Sequence, residues 1–325
     1  MGNVLGSEQT KASKHTSTFS TSLQTPPRTP TLTATAAQAL AAEISDIHHA
    51  LSELPDLRPG DKINSLLTRL VNLCIVPYST ELVDYFFNMK EVPSLCEKLR
   101  PLCAAAEGEL EMFWASKIMQ DSINSQATPG QTRDLLTTFP YQQNYIDLSR
   151  IECATLSAFL HSPTTLPQNI AFVGSGPLPL TSLCILDIYP SAHVHNIDRD
   201  ISALSLSQDL CLRSGYADRM SFACIDVSVE EDPEKTGWAD FDVVFLAALV
   251  GMDTTSKLAI LKGLVRKLRP SALVVARSAK GLRGVLYPIL ELGETLEKVG
   301  LEMLVEVHPW TKVVNSVIVF RVKER

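Results

Sequence analysis

The sequence predicts an α/β protein: a Rossmann-like, doubly wound sheet of seven strands ending in an antiparallel hairpin, preceded by a helical domain. Three observations predict it. After Pro163 and Pro167, short apolar runs alternate with helical intervals; the last two runs lie too close together for a helical crossover; and between about Thr35 and Leu160 the apolar residues recur at helical spacing instead. The expected boundaries are 1–35 for a disordered Ser/Thr/Pro-rich tail, 36–165 for a helical lid or substrate domain and 166–325 for the sheet.

A chain of 325 residues with 45% hydrophobic content has ample material for a buried core. The seven cysteines, Cys74, Cys96, Cys103, Cys153, Cys184, Cys211 and Cys224, are scattered and form no Cys-x-x-Cys pair, which argues against a disulfide framework and a zinc site and for free thiols in a reducing cytosol. A net charge of −7 without a basic stripe speaks against nucleic acid, and no apolar run reaches the length of a membrane span. The expected location is cytoplasmic and the expected partner a small molecule.

In chain order, residues 1–35 hold fourteen serines and threonines, three prolines and one acid, Glu8, so ordering them would cost more entropy than their burial returns. Gly6 stands where a myristoylation start has Ser or Thr, and the basic residues are too sparse for a mitochondrial presequence. Three helical stripes follow: Ile44, Ile47, Leu51 and Leu54; Ile63, Leu66, Leu67, Leu70 and Val71; Leu82, Tyr85, Phe86 and Met89. A further helix, from 101 to about 119, aligns Leu99, Leu102, Cys103, Ala106, Leu110, Phe113 and Trp114 on one face, with Glu107 inside that stripe and Glu111 at its edge. A partly buried face would send both carboxylates to solvent; a desolvated pair would serve acid/base chemistry or bind an amine. A polar connector containing Pro129-Gly130 leads to Tyr141 and Tyr145, whose rings pack and whose hydroxyls are placed to reach a substrate, and Leu148, Ile151, Leu156, Phe159 and Leu160 mark the next helix. Strands are expected at 170–173, 193–197, 220–225, 241–246, 272–276, 302–307 and 313–322.

The first strand runs into Gly174-Ser175-Gly176-Pro177, a Gly-x-Gly turn ahead of a helix, with Pro179 where the dinucleotide fingerprint has its third glycine. Asp198 ends the second strand, where a carboxylate takes ribose hydroxyls, and Asp226 ends the third, where it accepts from an adenine amino group. Either acid alone is equally explained as a turn or helix cap; both together with the glycine turn fit a nucleoside site. A seven-stranded sheet closing on a hairpin suggests the S-adenosylmethionine-dependent methyltransferase fold.

Longer motifs sharpen this. Phe172-Val173-Gly174-Ser175-Gly176-Pro177-Leu178-Pro179 resembles the cofactor loop of the nicotianamine synthase family, as do Asp242 through Met252, Ala276-Arg277-Ser278-Ala279, Gly284 with Leu286-Tyr287-Pro288, His308-Pro309 and Val314-Asn315-Ser316-Val317-Ile318. Ala106-Glu107-Gly108 with Leu110-Glu111, and Phe139-Pro140-Tyr141 with Asn144-Tyr145, extend the resemblance into the helical domain, so that it runs from about Leu66 to Val322. The chain departs from the plant pattern at Ile197-Asp198-Arg199-Asp200, at Lys280 and in a longer 120–134 region, which together with the tail suggests a fungal member.

The resemblance implies condensation of three molecules of S-adenosylmethionine into nicotianamine, with three of methylthioadenosine released, S-adenosylmethionine serving as substrate and no metal required. It leaves room for a homodimer. An amine must attack the γ-carbon of the aminobutyrate arm instead of the methyl carbon, so positioning selects the bond that breaks and a base must keep the amine neutral. That base is expected to be Glu107 or Glu111, with Tyr141 or Tyr145; both pairs share a four-residue spacing, so the sequence does not separate them. The adenosyl group is expected at Gly174, Ser175, Gly176, Pro177, Asp198, Asp226, Ala247 and Leu249, and the carboxylates of the amino-acid arms at Arg277, Arg283 and Tyr287, with His308 and Asn315 lining the product pocket. The competing readings are a small-molecule methyltransferase on the same sheet and a catalytically silent binder of the same ligand.

Overall fold

The computed structural model describes residues 31–160, 166–229 and 237–324. The expected tail lies outside these residues up to position 30, but its last stretch is helical. Helix α1 (Leu32–Ser52) starts where the Thr31 hydroxyl accepts from the Ala34 N–H at 3.1 Å, and Ala34, Ala37, Leu40, Ala41 and Ile44 bury its inner face. Helix α2 (Asp61–Cys74) follows its apolar stripe, whereas α3 (Thr80–Phe87) buries Phe86 but leaves Tyr85 exposed and ends before Met89.

Helix α4 corrects the expected start at Pro101: it runs from Val92 to Asn124 with that proline inside. Val92, Cys96 and Leu99 before it and Ala106 after it are all buried, so packing holds the helix through the missing N–H. Phe113, placed in the buried stripe by its spacing, is instead 48% exposed. The connector at Pro129-Gly130 is also a correction. It opens α5 (Pro129–Leu136), where Thr128 and Gln131 form a capping box and proline occupies the first turn, which needs no N–H donor there. Helix α6 (Gln142–Ser157) completes the set.

The sheet contains β1 (Asn169–Val173), β2 (His193–Asp198), β3 (Met220–Cys224), β4 (Val243–Leu246), β5 (Leu273–Ser278), β6 (Leu301–Val307) and β7 (Ser316–Val322), in the spatial order β3-β2-β1-β4-β5-β7-β6. The first five are parallel, and β7 runs antiparallel between β5 and β6, as expected for the terminal hairpin. The crossovers carry α7 (Leu180–Ile188), α8 (Ile201–Arg213), α9 (Thr254–Lys267) and α10 (Glu294–Val299). Strand β1 reads as a continuous apolar run because both of its faces are covered.

Three buried clusters explain where the site lies. One joins α1, α2, α3 and the first half of α4 to Leu282, Val285 and Leu286; a second packs the second half of α4, α5, α6 and α7 on one sheet face; a third packs α9 and α10 on the other. Full burial of Leu70 or Leu99 in the first stabilises by about 1.5–3 kcal/mol each. Helix α4 belongs to two clusters, entering the first through Ala106 and the second through Ala115. Glu107 and Glu111 fall on the seam between them, where a polar side chain interrupts neither core.

Candidate active site

The glycine turn after β1 is shaped by close approach. Gly174 has φ +80°, and a Cβ there would lie 2.5 Å from Val250 and 3.0 Å from Ala247; Gly176 has φ +63°, and a Cβ there would lie 2.9 Å from Glu111 Oε2. The sheet loop and the α4 carboxyl therefore meet. Asp198, at the end of β2, accepts from the Gly176 N–H at 2.9 Å and from the Asp200 N–H at 3.0 Å, which aims its carboxylate along the same edge. Ser175 is buried, its hydroxyl without a hydrogen-bond partner. Ala247 and Leu249 are half-buried in the loop after β4, where the Ala247 N–H donates to the Val173 carbonyl at 3.0 Å.

Asp226 follows the end of β3 directly, since the Ile225 N–H still donates to the Asp198 carbonyl of β2 at 2.9 Å. Strand β3 stops at Cys224, and Asp226 is exposed in a turn of its own, accepting from the Ser228 N–H at 2.9 Å and the Ser228 hydroxyl at 2.5 Å, bonds that hold its carboxyl below the usual range.

Glu107 and Glu111 are deep in the protein, yet each keeps some water-accessible surface, as groups lining a cleft do. Each is capped by a phenol: Tyr145 donates to Glu111 Oε1, and Tyr287 donates to Glu107 Oε2 at 2.9 Å. Desolvation raises the Glu107 carboxyl above its ordinary value; desolvation and then repulsion from Glu107 push Glu111 up to about 8. Burial likewise keeps both phenols protonated and donating. One turn of helix thus carries two carboxyl–phenol pairs, one of them poised to exchange a proton near neutral pH.

The structure separates the two tyrosines. Tyr145 reaches Glu111, whereas Tyr141 precedes the first turn of α6 and is 42% exposed, its ring edge-on to Phe139. Tyr287, expected at a substrate carboxylate, instead faces Glu107. Arg277 is buried with its fork closed on Glu152, Nε to Oε1 at 2.7 Å and Nη2 to Oε2 at 3.0 Å, and Nη2 also donates to Thr181. Its charge still bears on the cleft, holding both glutamates lower than burial alone would. Arg283 is buried away from the pair, donating to the Thr311 carbonyl at 2.9 Å and toward His308 Nε2 at 3.5 Å. His308 shares its other ring nitrogen with Ser316, and burial with the nearby cations Arg283 and Lys280 lowers its pKa to about 4, so it stays neutral. Asn315 is buried, its Nδ2 without a partner.

Two side chains escaped the sequence reading. Glu152 and Lys257 are each 1% exposed. Each is a charge inside an apolar stripe, Glu152 between Leu148 and Leu156 and Lys257 ahead of Ile260 and Leu261, which is the signal that singled out Glu107. Among the described residues no group of three His, Cys, Asp or Glu is placed to hold a metal ion, and no helix is long and apolar enough to cross a membrane.

A seven-stranded sheet of this order, with a glycine turn after β1, an acid ending β2 and an antiparallel β7, is the Rossmann-like fold that binds S-adenosylmethionine. Within that class the chain belongs to the nicotianamine synthase family, whose model, described as "Nicotianamine synthase protein", matches residues 33–325. Nicotianamine synthase 9 of Hordeum vulgare is 38% identical over 286 residues, which are 87% of this chain and 79% of that protein. The crystal structure of MtNAS in complex with MTA and tNA superposes with a TM-score of 0.70 at 19% identity, covering 88% of this chain and 98% of that one. A mutant of MtNAS in complex with S-adenosylmethionine gives 0.69 at 19% identity, covering 87% and 98%.

Proposed function

We propose that this protein is an aminocarboxypropyl transferase that condenses three molecules of S-adenosylmethionine into nicotianamine and releases three of methylthioadenosine. The observation that carries the proposal is the approach of Glu111 Oε2 to Gly176, which joins a protonatable carboxyl to the adenosyl loop. In each cycle a neutral amine attacks the γ-carbon of the aminobutyrate arm. A C–N bond forms, the S–Cγ bond breaks with its electron pair going to sulfur, and the proton shed by the amine passes to Glu111. The sulfonium supplies the leaving group; the protein supplies position and a base. Tyr145 orients Glu111, Tyr287 orients Glu107, and Asp198 holds the ribose. The repulsion between the glutamates favours one neutral and one ionised carboxyl, a charge state suited to a single ammonium.

Glu152 and Thr181 hold Arg277 behind the pair, where its cation offers long-range attraction to a substrate carboxylate. Helices α1–α6 act as the lid that excludes water from this seam, and Asn315 and His308 line the product side. Seven free thiols fit a cytosolic setting. Incubation of the purified protein with S-adenosylmethionine alone, followed by mass spectrometry, tests the reading. Nicotianamine and methylthioadenosine are expected; S-adenosylhomocysteine would indicate methyl transfer instead, and binding without any product would indicate a silent ligand-binding homologue.

A further inference from the structure

Lys257 has no part in the chemistry above, yet it is almost completely buried on the sheet edge that carries it. Helix α9 begins at Thr254, capped by the Asp253 side chain, which accepts from the Ser256 N–H at 2.8 Å; Lys257 stands in the first turn. Its ammonium turns back toward the strands and donates to the carbonyls of Ala248 at 2.8 Å, Arg277 at 3.3 Å and Ala247 at 3.4 Å. The Ala247 and Ala248 carbonyls lie just beyond β4 and that of Arg277 at the penultimate residue of β5, the C-terminal side on which an open α/β sheet meets its ligand. Burial and the Arg277 cation hold the amine down to about 7, so a residue of this kind is kept here at a cost in desolvation.

The backbone of the same residue lies close against the other end of the loop. Gly251 has φ +79°, and a Cβ there would lie 2.7 Å from both the backbone nitrogen and the Cα of Lys257. The loop 247–251 is thus bonded by the lysine side chain at Ala247 and Ala248 and packs closely against the lysine backbone at Gly251. Its opposite side is what crowds Gly174, through Ala247 and Val250. We propose that Lys257 is a positioning residue that fixes the loop after β4, and with it the Gly174 turn and the backbone of Arg277, as one rigid backing for the adenosyl group. This rests on the functional reading above, in which that loop holds S-adenosylmethionine.

Methylthioadenosine is the probe, since it contains the adenosyl part without the aminobutyrate arm. In calorimetric titrations Lys257→Met is expected to weaken its binding by about tenfold or more and to raise KM for S-adenosylmethionine. Leu70→Ala, which opens a cavity in the core of α2, is expected to lower Tm while leaving that affinity unchanged, so lost stability alone does not mimic the effect. A folded Lys257→Met protein with wild-type affinity overturns the proposal. Should Lys257→Met fail to fold, Gly251→Ala decides: the added methyl pushes the loop off α9, and unchanged methylthioadenosine affinity in that variant is equally fatal. A wild-type protein that binds no methylthioadenosine overturns the functional reading and this inference with it, whereas normal binding unaffected by either variant overturns only the inference.

Discussion

Glu111→Gln is expected to make the ligand-free protein more stable at pH 8 while nearly abolishing turnover. Its carboxyl is displaced from an ordinary 4.5 to about 8, chiefly by desolvation and next by repulsion from Glu107. A carboxyl with a folded pKa above its unfolded one contributes stability that is complete below the unfolded value and is lost as pH rises through the folded value. For Glu111 that window is pH 4.5 to about 8. At about 1.4 kcal/mol for each tenfold change in proton affinity the ceiling is about 5 kcal/mol. Water entering the cleft and local relaxation reduce this to about 1–3 kcal/mol. Glutamine is neutral throughout, is nearly the same size, and keeps a carbonyl oxygen to accept from Tyr145. Urea unfolding at two pH values, one near the lower end of the window and one near its upper end, should therefore show the wild type losing about 1–3 kcal/mol that the variant retains. Methylthioadenosine release by the variant should fall by about 10²–10⁴-fold. Parallel pH dependence in the two proteins, or an undiminished release rate, would refute the reasoning.

Other expectations are direct. Tyr145→Phe should lower turnover by at least about tenfold while Tyr141→Phe stays within about twofold of wild type, because only the former hydroxyl reaches a glutamate; methylthioadenosine release compares them. Glu152→Ala leaves the buried Arg277 guanidinium unpaired and should destabilise by about 3–5 kcal/mol in denaturant unfolding, with Glu152→Gln less severe because it still accepts a hydrogen bond. Gly176→Ala sets a methyl against the Glu111 carboxyl on a backbone with φ +63°, so S-adenosylmethionine affinity should fall and Tm should drop by a few degrees, with about 1–2 kcal/mol lost.

The five parallel strands were legible in the sequence because they are short, apolar and punctuated, and the last two because their spacing dictated a hairpin. Local signals also led to misreadings. Pro129-Gly130 reads as a break until Thr128 and Gln131 are weighed as a capping box, and Pro101 reads as a start although the apolar stripe continues through Cys96 and Leu99. The site was legible as residue types but not as pairs. Glu107 and Tyr287 are 180 residues apart and Arg277 and Glu152 are 125 apart, and periodicity shows which face of each element is buried without showing which faces meet. Tyr141 and Tyr145 share a spacing, and only the packing of α6 on the sheet distinguishes the solvent-facing ring from the inward one.

The raised carboxyls have a further consequence for how the reaction begins. At neutral pH Glu111 is mostly protonated in the free protein and so is a poor base. If S-adenosylmethionine seats on the Gly176 turn as proposed above, its sulfonium places a positive charge beside Glu111, and an opposite charge at that range lowers a carboxyl pKa by about 1–3. Substrate binding would then create the base at the moment it is needed, and departure of sulfur as an uncharged thioether would let the proton return. Calorimetry at pH 7 in buffers of different ionisation enthalpy reads this directly. S-adenosylmethionine should release a substantial fraction of a proton per molecule bound, methylthioadenosine close to none, and Glu111→Gln should remove the difference. Equal proton release by the two ligands would mean that the sulfonium does not sense Glu111, and the base would then have to be ionised by the incoming amine alone.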